Sequence, residues 1–122
     1  MEQIPPKLQN QIMQFQQVQQ QAQAIATQRM QLDLQLKEVE RSLAEVEKLD
    51  DKAEIYKNVG AILMRSRTPL IKGGLQEKKE TLELRIKTIQ RQGEKAQQRL
   101  KEMQEKIQKE LKAGKTNTDN AG

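Results

Sequence analysis

From Leu8 onward the chain carries an apolar heptad repeat, and that period decides most of what it can fold into. With Leu8 and Phe15 at a, the a and d positions continue through Val18, Ala22, Ile25, Arg29, Leu32, Leu36, Val39, Leu43 and Val46. Such spacing specifies a helix that buries one narrow stripe against another helix, the seam of a coiled coil. A second series runs Leu75, Lys79, Leu82, Ile86, Ile89, Gly93, Ala96, Leu100, Met103 and Ile107, and it matches the first in length and period. Roughly forty residues at 1.5 Å rise make a helix of about 60 Å, too long for a compact domain of this size. The fold class is therefore mainly α, a long antiparallel two-helix coiled coil.

Between the two series, Ala53 to Ser66 is the stretch where β-branched and aromatic residues surround a turn signal. Asn58-Val59-Gly60 reads as a hairpin turn, because glycine takes positive φ freely and asparagine nearly so. Ile55 to Lys57 and Ala61 to Ser66 become the strands. This pairing sets Ile55 beside Leu63 on one face and Tyr56 beside Ile62, with Met64 diagonal, on the other. Both faces then carry apolar side chains. A lone hairpin is marginal in water and leaves both edges unpaired, so strands of other chains should complete it. Ile55, Tyr56, Val59, Gly60, Ile62, Leu63 and Met64 are the candidate assembly residues.

The expected organisation is one domain over residues 1–112, with a first helix at 7–50, the hairpin at 53–66, a linker at 67–74 and a second helix at 75–112. The linker rests on Pro69, which argues against helix before it, and on Gly73-Gly74, which disfavours regular structure. Residues 113–122 hold no apolar side chain able to dock and should be a disordered tail. A hairpin between the helices folds them back antiparallel, and seam residues then pair when their numbers sum to about 118; a register one heptad along, summing to about 125, is the alternative, and it would place Phe15 opposite Glu110. Arg29 against Ile89 and Ile25 against Gly93 are the weak layers of the first register. They either fix the register or let the coil bend.

Composition narrows the chemistry. The chain of 122 residues has one Tyr, one Phe, no Trp, no His and no Cys, and 32% of it is charged. Disulfides and the usual zinc sites are excluded. No Gly-rich phosphate loop precedes a helix, and the many Glu residues alternate with Lys and Arg on solvated faces, so neither catalysis nor a cofactor is implied. The net charge of +5 is concentrated between Lys72 and Lys112, with twelve basic and seven acidic residues. Charges alternating in sign there argue against a nucleic-acid face. No secretory signal and no membrane-length apolar run is evident, so a soluble, cytoplasmic protein is the default.

At the end of the helices far from the hairpin, apolar residues occur that the seam does not require. Ile4, Ile12 and Met13 lie beside Leu8 and Phe15, and Leu111 lies beside Met103 and Ile107. Clustered exposed apolar residues mark an interaction site, and methionine with glutamine suits variable partners. Fraying of terminal turns is the alternative. Gln16-Gln17 and Gln19-Gln20-Gln21 in the first helix offer either hydrogen bonds to polypeptide backbone or a neutral solubilising face.

Three stretches carry a family resemblance: Gln14-Phe15-Gln16-Gln17-Val18-Gln19-Gln20-Gln21-Ala22-Gln23-Ala24-Ile25; Ala53-Glu54-Ile55-Tyr56-Lys57 with Gly60 and Ile62-Leu63-Met64-Arg65; and Leu75-Gln76-Glu77-Lys78 with Glu80-Thr81-Leu82 and Arg85. With them the chain, over Ile4 to Leu111, resembles the β-subunit family of archaeal prefoldin. The resemblance implies a hexamer of two α and four β subunits whose hairpins join in a β-barrel body, with coiled coils hanging as tentacles. It also implies an ATP-independent holdase that captures unfolded polypeptide clients at the tips and delivers them to a group II chaperonin. A structural coiled-coil tether without client binding is the alternative. Thr68-Pro69 and Gly73-Gly74 depart from the charged helix formers that relatives often carry there.

Overall fold

The computed structural model describes residues 4–121, with side chains described from Ile4 to Gly114. The order of elements is α1 (Pro6–Glu47), β1 (Ile55–Val59), β2 (Ile62–Ser66) and α2 (Thr68–Ala121). Two long helices thus flank one antiparallel hairpin, as the heptads and the strand signal require.

α1 begins where its prolines allow. The Pro5 carbonyl accepts the Gln9 N–H at 3.0 Å, which makes Pro6 the first helical residue, a position whose N–H is unpaired in any helix. The side-chain amide of Gln9 donates to the Ile4 carbonyl at 3.0 Å. The helix ends at Glu47, earlier than the expected residue 50, because the chain tightens: Lys48 and Leu49 N–H groups bond three residues back, to Glu45 and Val46.

Asp50 then organises the turn. Its carbonyl accepts the Ala53 N–H at 3.0 Å and the Thr68 hydroxyl at 3.1 Å, while its carboxylate accepts the Lys52 N–H at 3.3 Å. Thr68 is 3% exposed, so its hydroxyl is satisfied inside the junction.

The expected linker at 67–74 is instead the first two turns of α2. The Arg67 carbonyl accepts the N–H groups of Leu70 and Ile71, both at 3.1 Å, so Pro69 falls in the first turn, where a missing N–H costs nothing. Gly73 and Gly74 continue the helix with open space where a Cβ would stand. The seam extends with it, since Thr68 is buried and Ile71 and Leu75 are half-buried. At the other end, the expected disordered tail from residue 113 is helical as far as Ala121, and Gly122 lies outside the described residues. Ala113 and the Lys-rich turn before it are adequate helix formers, and Gly114 lowers propensity without blocking the backbone bonds.

The hairpin register also differs from the expected one. The turn is the two-residue Gly60-Ala61, with Gly60 at φ 62° and no non-glycine residue at positive φ, the pattern of a turn that needs glycine at its first central position. The pairs are Ile55 with Ser66, Tyr56 with Arg65, Lys57 with Met64, Asn58 with Leu63 and Val59 with Ile62. Directly opposed residues share a face. Ile55, Val59, Ile62 and Met64 therefore lie together on one face with Lys57 and Ser66, and Tyr56 and Leu63 lie on the other with Asn58 and Arg65. A shift by an odd number of residues changed which side chains keep company.

By contacts the chain divides into two compact units. The hairpin unit spans Arg29–Thr88; Leu32, Val39, Leu43, Val46 and Leu82 are buried in it, and Arg29 leaves its seam position to meet Asp33 at 3.9 Å. The terminal unit comprises the chain up to Gln28 and from Ile89 onward, with Leu8, Val18, Ala22 and Ile89 buried. The expected register holds within each: Thr68 meets Asp50 in one, and a Cβ on Gly93 would stand 3.5 Å from Ile25 Cγ2 in the other. Among the described residues no side chain is fully buried, the natural result of a seam only two helices wide.

Gly73, Gly74 and Gly93, inside α2, have room for a methyl group. Gly73→Ala and Gly74→Ala are each expected to raise stability by about 0.5–1 kcal/mol, and Gly93→Ala by at least as much, since its methyl adds a contact with Ile25. Urea denaturation followed by ellipticity checks this; a loss at Gly73 or Gly74 would show that their face is occupied in the working protein.

Candidate functional site

Two surfaces stand out from the solvated helix faces. The first is the hairpin. Its sheet has two strands, so the outer backbone edge of each is unpaired within the chain. Ile62 and Leu63 are 64% and 67% exposed, Tyr56, Val59 and Met64 are about as open, Gly60 is exposed in the turn, and Ile55 is half-buried. The face holding Ile55, Val59, Ile62 and Met64 is an apolar patch interrupted by Lys57. On the edge, Arg65 and Glu54 meet at 3.5 Å, an exposed pair worth little.

The second surface is the end of the terminal unit. Ile4, Met13 and Leu111 are 46%, 60% and 50% exposed. Ile12, Phe15, Met103 and Ile107 are half-buried, each showing one side to solvent. Leu8 is different: at 5% exposure it is a seam residue that holds the two helices together. Lys7 Nζ and Glu110 Oε1 meet at 3.3 Å across the helices, clamping the end from outside. Inside that clamp, Gln11 takes the d position between Leu8 and Phe15. Its Oε1 is buried without a hydrogen-bond partner, so this layer is held together less well than its neighbours.

Sequence reasoning missed a further set. Met30, Leu34, Leu70 and Leu84 in the hairpin unit are all close to 60% exposed or above. They are large apolar residues off the a and d positions, to which the heptad pattern assigns no partner. Leu49, 43% exposed, lies with Val46, Thr68, Pro69 and Gly73 in a shallow cleft at the foot of the hairpin.

Among the described residues no cluster of three or more His, Cys, Asp or Glu could hold a metal ion, and no helix is long and apolar enough to cross a membrane.

Comparison with known proteins agrees with this architecture. The profile of the prefoldin subunit family matches residues 9–114. Prefoldin subunit beta of Archaeoglobus fulgidus is 47% identical over 88% of this chain and 93% of its own length. That of Methanosarcina acetivorans is 44% identical over 88% of this chain and 92% of its own. The crystal structure of the prefoldin beta subunit from Thermococcus strain KS-1 superposes with a TM-score of 0.84 at 37% identity, covering 91% of this chain and 97% of that one.

Gln11→Leu removes the unpaired carbonyl and adds apolar area to the seam. It is expected to stabilise the chain by about 1 kcal/mol or more. Slower amide exchange around residues 8–15 would localise the gain; an unchanged or lower urea midpoint would show that the carbonyl is satisfied in solution.

Proposed function

The chain belongs to the prefoldin family of chaperone subunits, and on that premise we propose that it is an ATP-independent holdase subunit. Its hairpin joins strands of prefoldin α subunits and of further β subunits in a shared β-barrel body, in an α2β4 hexamer. Its terminal unit captures unfolded polypeptides, which pass to a group II chaperonin. A cytoplasmic location follows from this role.

The supporting observation is the separation of two apolar surfaces into two units. Ile55, Val59, Ile62 and Met64 present a sheet face with free edges, the chemistry of strand addition. Ile4, Met13 and Leu111 present apolar groups that are each only half exposed. Full burial of such a side chain is worth about 1.5–3 kcal/mol, so one such contact is weak and reversible. Several chain ends acting on one client multiply those contacts through effective concentration. Release then needs no nucleotide, because each contact opens on its own.

Two experiments separate the surfaces. Ile62→Asp, which places a charge in the apolar sheet face, is expected to dissociate the oligomer by native mass while leaving far-ultraviolet ellipticity nearly unchanged. Replacing Ile4, Met13 and Leu111 by Gln together leaves the seam intact, and protection of a denatured enzyme from aggregation is expected to fall about tenfold or more as the weak contacts are lost in concert. Full protection by that triple variant would leave the chain a structural tether.

A further inference from the structure

The two flanks of a two-stranded coil are its e and g positions, which ordinarily carry Glu and Lys. In the terminal unit one flank has none. On α1 its e positions are Ile12, Gln19 and Ala26; on α2, taking Met103 as d, they are Gln90, Gln97, Gln104 and Leu111. All seven are uncharged in a chain that is 32% charged. The opposite flank does carry charge, with Arg99 and Lys106 at g. Two of the apolar residues of the chain end, Ile12 and Leu111, thus belong to the neutral flank and continue it.

The flank is also shaped. A shallow open groove runs along it, with Ala22, Ala26 and Leu100 forming an apolar floor. Gln16, Gln19, Gln20 and Gln23 line it from α1, and Gln97 lines it from α2. None of these five side-chain amides hydrogen-bonds within the chain, whereas Gln9 and Gln98 do, to the Ile4 carbonyl and to Glu102. Each free amide offers a carbonyl acceptor and an NH2 donor, the complement of a peptide group. Small alanines on the floor let a main chain approach, and the lack of charge imposes no preference on the sign of its side chains.

Resting on the client capture proposed above, we infer that this groove binds extended polypeptide through its backbone, the glutamine amides pairing with client N–H and C=O groups while Ile12 and Leu111 take an apolar side chain. Apolar residues alone would favour hydrophobic segments. The amides read the unpaired peptide groups that an unfolded chain exposes along its length and that a folded protein satisfies for the most part internally. The occupant is thereby a chain without secondary structure, of either charge.

The test uses the full-length chain and two fluorescent peptides, one alternating apolar and uncharged polar residues, the other identical but N-methylated at alternate amides. Methylation removes donors yet keeps the peptide extended. Anisotropy is expected to show at least about fivefold weaker binding of the methylated peptide, the worth of one net hydrogen bond. The double variant Gln19→Glu with Gln97→Lys sets opposite charges across the groove, where they can pair and preserve the coil. It is expected to bind the unmethylated peptide no better than wild type binds the methylated one. Gln21→Glu, placed on the other flank in register with Arg99, should leave both affinities unchanged. Equal binding of the two peptides by wild type, or undiminished binding by the double variant, overturns the inference. If the Ile4, Met13 and Leu111 triple variant loses both peptides while the double variant loses neither, capture by the chain end stands and the groove does not; if neither variant loses binding, both fall.

Discussion

The hydroxyl of Thr68, donating to the carbonyl of Asp50, closes the base from which the hairpin rises, where the first helix gives way to the second. It sets the start of α2 beside the end of α1 and so fixes the antiparallel register within the hairpin unit. The same offset brings Gly93 to Ile25 in the terminal unit. It also holds a hairpin of two five-residue strands on a closed base, so the hairpin projects apolar side chains without having to stabilise itself.

A seam two helices wide has an energetic consequence. Every a and d side chain keeps part of its surface in water, and no side chain of the described residues is fully buried. Stability is then a sum of modest layers, as in repeat proteins, and a poor layer weakens only its own neighbourhood. Gln11, Ile25 with Gly93, and Arg29 are such layers. The terminal unit holds the first two. Its helices are tied at their end by the buried Leu8 and by a Lys7–Glu110 pair at the surface, worth about 1 kcal/mol at most.

The seam and the hairpin's place were legible in the residues, because heptad spacing and strand composition are local signals. What was misread depended on geometry that spacing does not encode. Pro69 disfavours helix before it, whereas in a first turn proline removes no bond, and Thr68 beside it is a polar residue able to bond back to the turn. Gly73 and Gly74 looked disruptive, yet two glycines cost about 2 kcal/mol against alanine, a penalty the seam contacts of Ile71 and Leu75 offset. In the hairpin, Asn58 drew the turn away from Gly60-Ala61. The better rule was that a two-residue connection with glycine first leaves five residues on each side. Met30, Leu34 and Leu84 had no spacing signal at all, and only their exposure marks them.

The distribution of charge gives the division between the units a further physical basis. Lys and Glu on a flank strengthen a coil modestly but surround any bound segment with fixed, hydrated charges, which a peptide group cannot displace cheaply. Glutamine gives up the ion pairs and keeps the hydrogen-bonding capacity. α1 carries no acidic residue before Asp33, and its charged residues crowd toward the hairpin, where Lys37, Glu38, Glu40 and Arg41 follow in close succession. The same helix is thus a conventional charged coil within the hairpin unit, whereas in the terminal unit Lys7 is its only charged residue. Replacing ion pairs with amides there lowers the cost of displacing water from the surface.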